Sequence, residues 1–347
     1  MPDQHPFVPP RAADARHLPP GMEARPAFHR HAALRFLSAF ALLVLAGFGA
    51  IAGAHWLLAR QDLLPPPPLA ATDCIDGKFA ELRTIDLTSP NLIAIGSSAT
   101  WRNLDLAAIA RRLPGATPYN AAPCYLHIDQ TAFLAEQLLP RLPAVTTVLT
   151  VVHPRDFEAC PAAARAFFEP ALFGAYLDGT VPGWLPYVSG FRPLYLARTA
   201  AERRAGGQPE GDRVAEDRFG SAVLRHRHFW RPELQLDPSC MQGLADLEAV
   251  VAERGARLVV AVLPMMPEWA SANDPEGRRV DGWVRDMRAR LTRPETLFVD
   301  GRTLQWDNSR FADPVHLIYP EHSAFSDLIG AAMQKAGFDL TRRVEGS

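Results

Sequence analysis

From Phe36 to Ala54 the chain carries no Asp, Glu, Lys or Arg. A helix crosses the hydrocarbon core of a bilayer with about 20 apolar residues, and residues 33–59 supply such a run, with Trp56 where an interfacial anchor would sit. Arg11, Arg16, Arg25, Arg30 and Arg35 precede it, and Arg60 and Asp62 follow. An excess of basic residues on the cytoplasmic side predicts a single-pass anchor with the N-terminus inside and the rest of the chain outside. A cleaved signal peptide is the competing reading, because Ala52-Gly53-Ala54 looks like a small-residue cleavage site. The apolar run is longer than the signal-peptide core of about 7–15 residues. Residues 1–32, rich in Pro, Arg and His, read as a disordered tail. Residues 60–88 read as a linker and lead-in, in which Pro65–Pro68 form a semi-rigid spacer that holds the remainder off the bilayer.

Residues 89–340 show alternating strand and helix patterns. Short apolar runs predict strands at Leu92–Ile95, Val145–Val152, Leu258–Leu263 and Thr296–Asp300, the last strand of the chain. Helical spacing runs through Leu104–Ala110, Gln130–Leu139, Met241–Gly255, 278–292 and His322–Ala336. A further short strand is expected just before Pro118. This alternation predicts an α/β domain, a mostly parallel sheet with helices on both faces. Residues 158–235 break the pattern. Phe167, Phe168, Phe173, Tyr176, Trp184, Tyr187, Phe191 and Tyr195 crowd there, and 201–217 turns polar and Gly-rich. We read an irregular, partly helical insertion folded over the site, its aromatics more often core than sugar platforms.

A net charge of −2 argues against a nucleic-acid binder. Cys74, Cys124, Cys160 and Cys240 follow the apolar run, and four cysteines allow three pairings or remain as buried thiols. No CxxC spacing is present, and His226 and His228 lack further ligands at metal-like spacing, so neither metal nor cofactor is expected.

The chemistry concentrates in two motifs. Asn91-Leu-Ile-Ala-Ile-Gly-Ser-Ser-Ala-Thr-Trp101 reads as strand, tight turn and helix, which lifts a serine above the end of a sheet. Phe311-Ala-Asp-Pro-Val-His-Leu317 places Asp313 and His316 three residues apart in one turn. A serine becomes a nucleophile when a base takes its proton and a third group orients that base. Ser98 is the expected nucleophile, Ser97 the fallback, His316 the base and Asp313 its orienting partner.

Gly96-Ser97-Ser98 after the first strand, with Asp313-x-x-His316-Leu317 near the C-terminus, resembles the SGNH (GDSL-type) hydrolases. The Ser at the middle position departs from the usual Gly-Asp-Ser. That variant is similar to membrane-anchored relatives of exopolysaccharide O-acetylation and teichoic-acid D-alanylation. The resemblance implies a three-layer α/β/α, flavodoxin-like SGNH domain over 89–340, preceded by one transmembrane helix in a bacterial cytoplasmic membrane. It further implies an extracytoplasmic acyltransferase or accessory protein acting on a polysaccharide beside a membrane-bound O-acyltransferase. A periplasmic carbohydrate esterase and a non-catalytic glycan-binding scaffold are the alternatives. Asn120 occupies the place of an oxyanion donor, with the family's glycine missing, and a turn asparagine is the competing reading. His153, Arg155 and Asp156 end the Val145–Val152 strand, where they are candidates for substrate contact or, for Asp156, a helix cap.

Overall fold

The computed structural model describes residues 26–70, 72–160, 162–206 and 217–341, with side chains omitted at 26–30 and 73. The expected disordered tail lies largely outside them. The chain divides at Asp62 into two compact units. The first contains helix α1, Pro26–Arg60, which starts earlier than the 33–59 expected. It is long and apolar enough to cross a membrane. Its apolar side chains, Leu43 and Phe48 among them, are exposed, as lipid-facing residues would be.

The second unit is built on a five-stranded, wholly parallel sheet in the order β2-β1-β3-β4-β5. The strands are β1 Leu92–Ala94, β2 Pro118–Asn120, β3 Thr147–Val152, β4 Arg257–Val262 and β5 Leu297–Asp300. Register runs through Leu92 opposite both Pro118 and Thr147, Thr147 opposite Arg257, and Val259 opposite Leu297. Every residue of β1, β2 and β3 is buried, the burial expected of strands covered on both faces. Helices α4 (Leu106–Arg112) and α12 (Glu321–Lys335) pack together. So do α5 (Ile128–Leu138) and α9 (Met241–Glu253), with α11 (Arg278–Arg290) against α9.

Several elements differ from the sequence reading. The helix expected to follow the serine turn and run through Leu104–Ala110 is two: α3, Ser98–Arg102, and α4. The Asp105 carboxylate accepts from the Ala108 N–H and starts the second one. The second strand begins at Pro118 itself, where an edge strand does not need the missing N–H. Leu297–Asp300 is not the last strand, because β6 (Phe311–Asp313) and β7 (His316–Leu317) form a small antiparallel pair. The alternating pattern also missed α10, Pro267–Asn273.

The lead-in is not a free spacer. Helix α2, Asp73–Leu82, places Phe79 and Leu82 fully in the core. Fully burying one such side chain contributes about 1.5–3 kcal/mol. The Asp76 carboxylate accepts from the N–H groups of Leu69 and Ala70 at 2.9 and 2.6 Å, and Pro65 is buried. The Pro-rich run is therefore packed on the domain, because Pro65 is buried and a carboxylate on α2 holds the two residues that follow Pro68.

Two disulfides resolve the open pairing: Cys74–Cys124 and Cys160–Cys240, with Cα separations of 6.0 and 5.4 Å. The insertion holds α6 (Pro170–Leu177), α7 (Leu185–Ser189) and α8 (Pro193–Arg204). Phe168 and Phe173 join Phe79 and Phe133 in an aromatic cluster, with ring centroids 4.4–5.2 Å apart. Those rings are core, whereas Trp184 and Phe191 face solvent.

Candidate active site

In an open parallel sheet, ligands bind beyond the carboxyl ends of the strands, where neighbouring strands send their connections to opposite faces. The order 2-1-3-4-5 puts that point between β1 and β3. Gly96-Ser97-Ser98 leaves β1, and His153-Pro154-Arg155-Asp156 leaves β3 as a 3-10 turn, Pro154–Phe157.

The turn after β1 needs Gly96. A Cβ there would overlap Thr100 Oγ1 and come within 2.8 Å of Thr100 Cβ. Thr100 is itself fixed, donating to Val151 O and accepting from Val151 N–H, both at 2.9 Å, which sews α3 to β3. The two serines then divide their work. Ser97 is buried, and its hydroxyl caps α3 by accepting from the Ala99 N–H at 3.1 Å. It also hydrogen-bonds the Asp156 carboxyl. Ser98 opens α3 and is partly exposed, whereas the hydroxyl of Ser97, the fallback, is engaged in these structural bonds.

The turn between β6 and β7 brings Asp313 and His316 together. His316 Nδ1 lies 2.8 Å from Asp313 Oδ2 and 3.0 Å from Oδ1. Asp313 Oδ1 also accepts from the N–H groups of Val315 and His316, at 2.9 and 3.0 Å. Burial pushes the Asp313 carboxyl up, but the His316 hydrogen bond and charge and the Val315 N–H outweigh it and hold it below the usual value. An ionised Asp313 keeps the ring proton on Nδ1, which leaves Nε2 as the acceptor. Nε2 is buried with no hydrogen-bond partner. One cavity of about 570 Å³ is lined by Ser97, Ser98, Arg155, Asp156, Asp313 and His316 among others. The structure thus lines one cavity with the three predicted catalytic side chains, Ser98 lying 215 residues before Asp313 and 218 before His316.

The other predicted residues separate. Asn120 is fully buried, and its amide donates to Thr100 O, Trp101 O and Ser221 Oγ at 3.1–3.2 Å. Its Oδ1 accepts from the Ala122 N–H at 3.1 Å. It does not line the cavity, and no proton of that amide is left for an oxyanion. His153 is also fully buried, its ring 5.1 Å from that of Trp269. Its Nδ1 accepts from the Arg155 N–H at 3.2 Å. Burial, with a smaller contribution from the charge of His316, pulls its pKa down to about 3, so it stays neutral. Asp156 does line the cavity and accepts from the His153 N–H at 2.8 Å. Burial lifts its carboxyl to about 7, against the hydrogen bonds from Ser97 and the His153 backbone. Arg155 lines the cavity too, paired with Glu158 at 2.5 Å, its guanidinium 5.4 Å from the centre of the Trp230 ring.

Arg102, Tyr125, His127, Leu224, His228 and Trp230 also line the wall and were not assigned to the site by sequence. Arg102 carried a signal: it lies four residues after Ser98, on the same helical face. The others arrive from segments far apart in the chain. His228 and Trp230 belong to the end of the insertion, which runs beside β6–β7: His228 N–H donates to Ala312 O at 2.7 Å, and Tyr319 N–H to Leu224 O at 2.8 Å. The described residues contain no cluster of His, Cys, Asp and Glu suited to a metal ion. By sequence the chain matches no family model and no curated protein.

Proposed function

We propose that this protein is a membrane-anchored, extracytoplasmic serine acyltransferase, or accessory protein, of SGNH type, for O-acylation (in particular O-acetylation) of a cell-surface polysaccharide. The observation that carries the reading is His316, with Nδ1 held by Asp313 and a free Nε2, in one cavity with the available Ser98 at the switch point of a parallel sheet. Ser98 Oγ attacks the acyl carbonyl carbon while His316 Nε2 takes the hydroxyl proton. His316 returns that proton to the leaving group as its bond to the carbonyl carbon breaks, leaving acyl-Ser98. A sugar hydroxyl then attacks, its proton passes to His316 and on to Ser98 Oγ, and the sugar ester departs. Charge on the carbonyl oxygen falls to the Ser98 N–H at the start of α3, since Asn120 is committed elsewhere. Two disulfides support an oxidising compartment. The length and composition of α1 support an anchor, and the arginines before it support an N-terminus inside. A membrane-bound O-acyltransferase is the proposed partner and acyl source.

The test is labelling by a fluorophosphonate probe. The wild-type protein should be labelled, and Ser98→Ala and His316→Ala should each abolish it. The double variant should be no worse than either single, because triad members act as one unit. Labelling that survives Ser98→Ala but is lost in Ser97→Ala moves the nucleophile by one residue, and labelling that depends on neither serine defeats the catalytic reading and leaves a glycan-binding scaffold. Polymer acetylation lost in cells carrying Ser98→Ala separates acyl transfer from de-acetylation, which would raise it.

A further inference from the structure

The insertion exposes large apolar side chains in a short stretch: Leu194 is 86% exposed, Val188 60%, Trp184 54% and Phe191 50%. They belong to α7 and α8 and the turns beside them. A soluble face rarely presents so many together, and a contiguous exposed apolar patch marks an interaction surface. The same stretch, 184–206, holds four arginines against one glutamate. Arg198, Arg204 and Arg192 are exposed, with Arg198 paired to Glu202 at 2.7 Å. Trp, Phe and Leu beside arginines is the composition of segments that lie in a membrane–water interface.

The chain itself says what covers this patch. The Tyr187 hydroxyl of α7 donates to Pro65 O. Gly190, which closes α7, lies against Pro68: a Cβ there would come within 3.2–3.3 Å of the Pro68 carbonyl oxygen and ring. The turn entering α7 is held as firmly, because Arg83 donates to Tyr176 O and Val181 O at 2.8 and 3.0 Å. Pro65 follows Arg60, the last residue of α1, by five residues. Five extended residues span at most about 18 Å. If α1 crosses the bilayer, as the proposed function holds, covalent reach alone keeps α7 beside the membrane surface.

We propose that α7 and the start of α8 form an interfacial foot that inserts Trp184, Val188, Phe191 and Leu194 into the outer surface of the same bilayer that α1 spans, with the arginines at anionic headgroups. The occupant is lipid. The Pro-rich run is then a clamp that holds the catalytic domain down on the membrane. An acyl group leaving a membrane enzyme would be received at a fixed height above the bilayer.

The experiment uses the full chain, one copy per nanodisc of phosphatidylcholine and phosphatidylglycerol. All four native cysteines are paired, so one introduced cysteine carries an environment-sensitive NBD fluorophore. Labels go at Leu194→Cys and Val188→Cys, at Leu43→Cys within α1, and at Arg285→Cys on α11, whose side chain is 77% exposed. Emission at 194 and 188 should shift to the blue and be lost to doxyl-labelled lipid, while 285 shows neither. Phe191→Asp with Leu194→Asp should abolish the shift at 188. A lipid-like signal at 43 with water-like signals at 194 and 188 overturns the foot while leaving the anchor intact, and assigns the patch to a protein partner or a second copy. A water-like signal at 43 removes the anchor and, with it, the reach on which the foot depends.

Discussion

Asn103 and Leu317 are joined by a buried hydrogen bond: the Leu317 N–H donates to Asn103 Oδ1 at 2.6 Å, and Asn103 Nδ2 donates to Val315 O at 2.9 Å. A second bond from Nδ2 reaches Ala99 O at 2.8 Å. One buried amide thus ties the helix that carries Ser98 to the hairpin that carries Asp313 and His316. Asn103 does not itself line the cavity. It fixes the helix of Ser98 against the hairpin of His316.

Asn103→Ala should therefore slow fluorophosphonate labelling without removing any triad member. A misplacement of about 1 Å costs on the order of 10²-fold. Stability should fall as well, by about 1–3 kcal/mol for each buried backbone group left without a partner. Labelling rate at a temperature where the variant is fully folded is the measurement. An unchanged rate would show that the hairpin keeps its place without the amide.

Asp313→Asn tests the tautomer. An Asn oxygen could still accept from Val315 and His316 N–H, so the turn should survive. The ring proton would no longer be held on Nδ1, and labelling should fall by roughly 10³–10⁴-fold, with a circular dichroism spectrum like the wild type. Ser97→Ala should behave oppositely. It removes the cap of α3, which costs about 1 kcal/mol, and leaves most of the labelling.

Asp156 predicts a pH dependence of stability. Burial raises its carboxyl to about 7, whereas in an unfolded chain it titrates near about 3.9. Between those values the native state holds a proton that the unfolded chain has released. The stability from this group is complete below about pH 4 and is lost as pH rises through about 7. Urea midpoints measured at pH 5 and pH 8 should drop in the wild type. Asp156→Asn, which cannot ionise, should show a smaller drop. Equal drops would mean that Asp156 is already charged at pH 5.

The disulfides give a fourth prediction. Peptide mapping without reduction should find Cys74 with Cys124 and Cys160 with Cys240, and no other pairing. The second bond links residues 80 apart and ties the start of the insertion to the head of α9. Cys160→Ser with Cys240→Ser should cost about 2–5 kcal/mol of stability, read as a lowered urea midpoint.

The sequence by itself determined the parallel α/β architecture, because buried strands and amphipathic helices are written as short-range patterns that survive without tertiary knowledge. Leu92–Ala94, Thr147–Val152, Arg257–Val262 and Leu297–Asp300 all lie within the runs that announced them or one residue from them. It also determined the apolar length of α1 and the motif spacings around Ser98 and His316. Other features were decided only by the tertiary structure. Asn120 looked like an oxyanion donor until Thr100, Trp101 and Ser221 were seen to absorb its protons, and hydrogen-bond partners from distant segments leave no trace in local pattern. The two serines were told apart by which hydroxyl Ala99 and Asp156 consume. Tyr125, His228 and Trp230 came to the cavity from three-dimensional proximity alone. The Pro-rich run read as a spacer because composition sets stiffness, whereas its docking depends on Asp76 and Tyr187, whose distance from it along the chain carries no signal. Local preferences are encoded residue by residue, but a site is made of contacts between segments, and those exist only once the chain has closed on itself.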